Sequence, residues 1–175
     1  RDLHSFPTRR SSDLVGVYAA GDVNGGPQFT YVSFDDHRII LEDAWGADKG
    51  HVGARSTRGR VLPTTTFIEP PLATVGMSEA AAVGKGYDVV VRSGFIADMA
   101  IVPRPKILGQ TDGMAKFVID AKSDLILGAT LFCPDAQELI NAVAVAIRSG
   151  MTATELGSGI YTHPSTSELF NALLG

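Results

Sequence analysis

The chain has 175 residues, 45% of them apolar and 19% charged, with 15 Lys and Arg against 19 Asp and Glu for a formal net charge of −4. That length suits one ordinary domain or a domain with a piece of another, and the composition is globular, with enough apolar mass for a core. An acidic balance with no Lys/Arg cluster after residue 14 points away from nucleic acid, and no apolar run approaches the roughly 18–20 residues of a membrane-crossing helix.

The first fourteen residues, RDLHSFPTRRSSDL, show neither a helical nor a strand period. Residues 4–14 look like a sequencing-adaptor oligonucleotide translated in one frame. Residues 1–14 are therefore expected to be an adaptor-derived artefact, and the natural protein is expected to continue upstream. The segment carries three Arg and two Asp, so the acidic balance stands without it.

Residues 15–20 (VGVYAA) form a short apolar run ending at Gly21-Asp22, the profile of a buried strand that stops at a loop. Residues 23–28 (VNGGPQ) read as that loop. A helix is expected from Thr30, with Phe34, Ile39, Ile40 and Leu41 on its apolar side. Asp35, Asp36, Arg38 and Glu42 are then left for a wetter side. Thr30 or Ser33 could cap this helix and Gly46 end it. Residues 47–60 are polar and Gly-containing, the place for a linker.

After Val61 the pattern becomes strand-rich. Residues 64–68 are β-branched, Pro70 and Pro71 interrupt, and extended structure resumes over 72–75. Residues 78–84 (SEAAAVG) predict a short helix with a Ser N-cap, and 87–92 a strand. Residues 113–120 and 125–133 predict two strands joined as a hairpin by Ala-Lys-Ser-Asp. The strongest helical pattern covers 135–149, where Ala136, Leu139, Ile140, Val143 and Ile147 recur at i, i+3, i+4, i+7 and i+11. Asp135 and Glu138 suggest a capping-box-like start and Gly150 a stop. A T-x-x-E box opens a helix at 152–156, and a last helix covers 165–174. Strands followed by helices, without strict βαβ alternation, predict an α+β fold with an antiparallel sheet.

Cys133 is the one cysteine, which excludes an internal disulfide framework and a Cys-rich metal site and suits a reducing, cytoplasmic compartment. Within its apolar strand it reads as a small buried hydrophobe rather than a nucleophile. His37 lies on a helix without a local ligand partner, and His51 lies in the linker. No metal site is expected.

Two constellations could carry chemistry. In the first, Asp22 at a strand end could accept hydrogen bonds from sugar hydroxyls, and Gly21 lets a ligand approach the backbone. The helix opening near Phe29, Thr30 and Tyr31 presents a positive dipole end to negative charge on a ligand. The plainer reading is a strand, a turn and a capped helix. In the second, His163-Pro164-Ser165-Thr166-Ser167-Glu168, a turn would let Glu168 meet and orient the imidazole of His163, making a general acid–base. The plainer reading here is an S-x-x-E capping box.

Both constellations resemble motifs of the pyridine nucleotide–disulfide oxidoreductases, a family of FAD-dependent enzymes. Residues 17–22 (VYAAGD) resemble its second FAD-binding motif. Residues 67–79 (FIEPPLATVGMSE) and 111–132 (TDGMAKFVIDAKSDLILGATLF) resemble its dimerisation domain. Residues 162–168 (THPSTSE) are similar to its HPT-type active-site motif, with Ser165 in place of the usual Thr. Residues 21–40 and 128–141 are further similar to the bacterial reactive-chlorine-resistance and hypothiocyanous acid reductase branch.

The resemblance implies a layout of 15–50 as the last strand and helix of a Rossmann-like FAD-binding domain, 51–60 as linker and 61–175 as dimerisation domain. It implies FAD as cofactor and NAD(P)H as electron donor. Gly21, Asp22, Phe29, Thr30 and Tyr31 would lie at the flavin, with Asp22 on its ribityl hydroxyls. His163 and Glu168 would serve the active site of the partner subunit in a homodimer acting on a small-molecule substrate. The chain departs from the family pattern by having neither a G-x-G-x-x-G motif nor a C-x4-C pair. It is therefore expected to be inactive alone. A mercuric reductase-like or dihydrolipoamide dehydrogenase-like parent is an alternative, and a non-catalytic dimerisation module is one of a different class.

Overall fold

A computed structural model describes residues 17–46 and 55–175. The chain divides into two compact units, one ending at Arg60 and the other running Val61–Gly175. Residues 1–16 and 47–54, which include His51 and the first part of the expected linker, lie outside the described residues.

In the first unit the described part of the expected strand, residues 17–20, carries a β-bridge at Tyr18, and Val17 is about half exposed; residues 15–16 lie outside the described residues. A 3-10 turn, Gly21–Asn24, follows and leads to helix α1, Thr30–Trp45. The N-cap of α1 is Phe29, without a side-chain cap, rather than Thr30 or Ser33. Gly46 ends the helix as expected, its N–H donating to the Glu42 carbonyl at 2.9 Å.

The inward face of α1 also differs from expectation. Val32, Asp36 and Ile39 are buried, at i, i+4 and i+7, while Phe34 and Leu41 are exposed. Phe34 instead stacks near His37 and lies 4.6 Å from the Arg38 guanidinium carbon, so the solvent face carries its own cation–π contact.

The second unit is the expected α+β fold. Five antiparallel strands, β1 (Thr64–Thr66), β2 (Leu72–Gly76), β3 (Val89–Phe95), β4 (Met114–Asp120) and β5 (Ile126–Phe132), lie in the order β1-β2-β5-β4-β3. The β4–β5 hairpin is the one predicted from Ala-Lys-Ser-Asp, and Asp124 at φ 58° closes its turn.

Strand alternation sorts the side chains of β4 by face, and a register shift at Val118/Ile119 turns Leu127 of β5 to the face opposite Ala129 and Leu131. Ala115, Phe117 and Ile119 of β4 point into the main core with Ala129 and Leu131 of β5, whereas Val118 and Leu127 join Ala82 in a smaller cluster on the other face. That smaller cluster is closed by α2 (Glu79–Gly84), whose cap Ser78 accepts the Ala81 N–H at 3.2 Å.

Helix α4 (Ala136–Ser149) lays Ala136, Leu139, Ile140 and Val143 on the main core, as its periodicity predicts, and ends at Gly150. Its start departs from expectation. Asp135 takes the left-handed conformation at φ 61° and makes no side-chain cap. Residues 93–112, for which the sequence suggested no element, hold a 3-10 turn, Ile96–Asp98, and helix α3, Pro103–Leu108, opened by a proline and closed by Gly109. Helix α5, Ala153–Gly157, begins with the predicted box between Thr152 and Glu155. The last predicted helix divides into a 3-10 turn, Thr166–Glu168, and α6, Leu169–Leu174.

Cys133 is fully buried at the end of β5. Burial, with help from the nearby negative charge of Asp135, pushes its thiol up to about 12. The reactive thiolate is therefore suppressed at neutral pH. In the folded chain Cys133 should resist a thiol-modifying reagent and react fully once denaturant is added. Rapid labelling without denaturant would show the strand end to be open.

Candidate functional site

The two constellations fall in different units. In the first, the 3-10 turn places Asp22 exposed and Gly21 buried beneath it. Gly21 has φ 71°, and a Cβ there would lie 2.6 Å from the Ser33 hydroxyl, so the backbone shape favours glycine and any side chain would have to displace Ser33. Beyond the turn, Phe29 and Tyr31 stack with ring centroids 5.2 Å apart and bracket Thr30 at the uncapped start of α1. The first turn of this 16-residue helix carries no acidic residue, so its dipole is not offset locally.

One feature of this unit was missed by sequence reasoning. Asp36, placed on the wetter side of α1, is 2% exposed and bound to Gly21, Asn24 and Arg60. The signal was present in the chain, because a carboxylate occupies the middle of the Val32, Asp36, Ile39 stripe where an apolar residue is expected.

In the second unit, His163 and Glu168 meet as the spacing allowed. His163 Nδ1 lies 2.8 Å from Glu168 Oε1, with the imidazole 70% exposed and the carboxylate 14%. The other oxygen, Oε2, accepts the Ser165 N–H at 2.9 Å. The plainer reading and the chemical one therefore hold together, since one carboxylate serves the helix start and the imidazole at once. The Ser165 N–H and then the His163 contact hold the Glu168 carboxyl below the usual carboxylate range. An ionised carboxylate can only accept, so Nδ1 carries the ring proton and Nε2 is left as the basic nitrogen of the neutral ring.

The loop before this dyad is anchored on three sides. Tyr161 donates to the Leu156 carbonyl at 2.6 Å and packs its ring on Phe170. Asn171 donates to the carbonyls of Gly157 and Gly159 at 2.6 and 2.9 Å. Thr166 donates to Asp135 Oδ2 at 2.6 Å, which is where the expected α4 cap has gone. No grouping of His, Cys, Asp and Glu able to hold a metal occurs among the described residues.

A model of the pyridine nucleotide-disulphide oxidoreductase dimerisation domain matches residues 62–174. The probable pyridine nucleotide-disulfide oxidoreductase RclA of Escherichia coli is 40% identical over 158 residues, covering 90% of this chain and 34% of the relative. A solved structure described as HOCl-induced flavoprotein disulfide reductase RclA from the same organism superposes with a TM-score of 0.82 at 40% identity, over 90% of this chain and 35% of that one. Mercuric reductase of Staphylococcus aureus is 35% identical over 80% of this chain and 24% of its own. Dihydrolipoyl dehydrogenase of Mycobacterium tuberculosis is 35% identical over 91% and 34%. The chain thus spans about a quarter to a third of the length of these relatives.

Because the folded Glu168 carboxyl titrates below its ordinary value near 4.5, its contribution is complete above that value and is lost as pH falls through the lowered one. The stability gap between the wild-type chain and Glu168→Gln, measured by denaturant unfolding, should stay constant down to about pH 5 and close in stronger acid. A gap that widens on acidification would contradict the assignment.

Proposed function

The chain belongs to the pyridine nucleotide-disulphide oxidoreductase family, whose dimerisation domain it carries, and on that premise we propose that it is the C-terminal part of a homodimeric flavoprotein reductase of the cytoplasm. The substrate we propose is a reactive sulfur or chlorine species or a disulfide-type small molecule. The observation that carries this reading is the His163–Glu168 pair at 2.8 Å, held on an anchored turn within the matched domain. The choice of substrate class rests on 40% identity to a protein described as an HOCl-induced flavoprotein disulfide reductase.

The residues present fit an FAD. Asp22 is an exposed carboxylate on a turn whose Gly21 takes a left-handed φ, and a helix start with no side-chain cap and no acidic residue in its first turn lies just beyond it. Asp22 would accept hydrogen bonds from the ribityl hydroxyls, and the backbone of Phe29, Thr30 and Tyr31 would hold the pyrimidine edge. When bound, FAD supplies the redox centre that links NAD(P)H to a cysteine pair lying outside this chain.

The proton chemistry falls to His163. Glu168 holds the proton on Nδ1 and keeps the ring in one orientation, so Nε2 can take a proton from a thiol and return it to a leaving thiolate. The exposure of the imidazole fits a group that is completed by a partner subunit.

In the full-length protein, His163→Ala should lower NAD(P)H-dependent turnover by about 10²–10⁴-fold, the usual range for loss of a positioned general acid–base. Flavin content and dimer mass should remain those of the wild type. Undiminished turnover would leave the chain as a dimerisation module without catalysis. Separately, Asp22→Ala should release FAD on gel filtration, and a fully flavinated variant would count against the flavin assignment.

A further inference from the structure

Asp36 is buried to 2% exposure, and nothing in the proton chemistry uses it. A buried carboxylate is costly unless it is paired and hydrogen-bonded, and this one is both. Its Oδ2 accepts from the Gly21 N–H at 3.1 Å and from the Asn24 side-chain amide at 2.7 Å. Its Oδ1 accepts from Arg60 at 2.6 Å, and the same guanidinium nitrogen lies 2.9 Å from Asp35. Burial works to raise the Asp36 pKa, and the bonds from Arg60, Gly21 and Asn24 outweigh it, so the carboxyl stays ionised below the usual range.

Gly21 and Asn24 are the two ends of the 3-10 turn Gly21–Asn24. One carboxylate oxygen therefore clamps both ends of a four-residue segment to the middle of α1. Asn24 extends the clamp by accepting the Gly26 N–H at 3.0 Å through its own carbonyl oxygen. Asp22 sits inside this clamped segment and is exposed, with its own carbonyl taken by the Gly25 N–H at 3.1 Å.

We infer that Asp36 is a positioning residue of the flavin site, setting the turn that presents Asp22 to the ribityl hydroxyls. The inference rests on the reading of Asp22 as a flavin contact. A turn held at both ends has little freedom left to lose when a ligand binds, so the clamp lowers the ordering cost of flavin capture. Arg60 adds a charged bond from a segment 24 residues further on.

The test is FAD titration into the full-length apoprotein, followed by flavin fluorescence. Asp36→Asn should raise the FAD Kd about tenfold, the scale of one lost hydrogen bond to a charged group. In an Asp22→Ala background the same change should have almost no effect, because its route to the ligand has been removed. A merely structural Asp36 would impose its full penalty in both backgrounds, and that additivity would overturn the proposal. Asn24→Ala, a milder change in a half-buried turn residue, should raise the Kd about threefold and carries the test if Asp36→Asn does not fold. Wild-type Kd in both Asp36→Asn and Asn24→Ala, with Asp22→Ala impaired, would overturn the positioning role and leave the flavin reading standing. Wild-type Kd in Asp22→Ala would remove the flavin reading itself and this inference with it.

Discussion

The edge-on contact between Phe117 and Phe170, with ring centroids 6.1 Å apart, is the join on which the second unit depends. Phe117 is the fully buried centre of β4, and Phe170, in the first turn of α6, packs on it. Tyr161 then packs on the far edge of Phe170 at 5.4 Å. The sheet, the last helix and the loop that carries His163 are thus connected through three rings. Aromatic contacts of this kind add about 0.5–1.5 kcal/mol each beyond area burial, and they also fix direction. An imidazole on the surface is held in place by a stack that reaches the middle of the core.

Backbone packing reinforces this join. A Cβ at Gly157 would lie 2.4 Å from the Leu174 carbonyl carbon, so α5 and the end of α6 touch main chain to main chain. Asn171 uses both of its donor positions on carbonyls at that contact. The reciprocal use of side chains elsewhere is similar in kind. Asp135 leaves the start of α4 without a side-chain cap and spends its carboxylate on Thr166, three residues after His163.

Much of this was legible in the chain. Helix α4 has a wide apolar stripe and a terminal glycine, and the β4–β5 hairpin has β-branched runs around a four-residue turn, so local pattern and tertiary role agree. The His163 to Glu168 spacing admitted both a cap and a dyad, and the carboxylate has an oxygen for each. What was not legible depends on long-range partners. Spacing puts Asp36 on one stripe with Val32 and Ile39, but the partners that make its burial tolerable, Gly21, Asn24 and Arg60, come from up to 24 residues away. Helix α3 is six residues long between a proline and a glycine, too short for periodicity to register.

The division of Glu168 between two donors has a consequence for protein engineering. One oxygen takes a backbone amide and the other an imidazole, and a carboxylate has no third. Glutamine could keep the backbone amide on its oxygen only by offering its NH2 to Nδ1, which moves the ring proton to Nε2, and aspartate is a methylene short of spanning both. The start of the last helical turn and the orientation of the imidazole therefore share one side chain, and neither can be tuned there without disturbing the other. A directed-evolution campaign would find this position closed to compromise and would have to seek gains in the exposed surface of the helices instead.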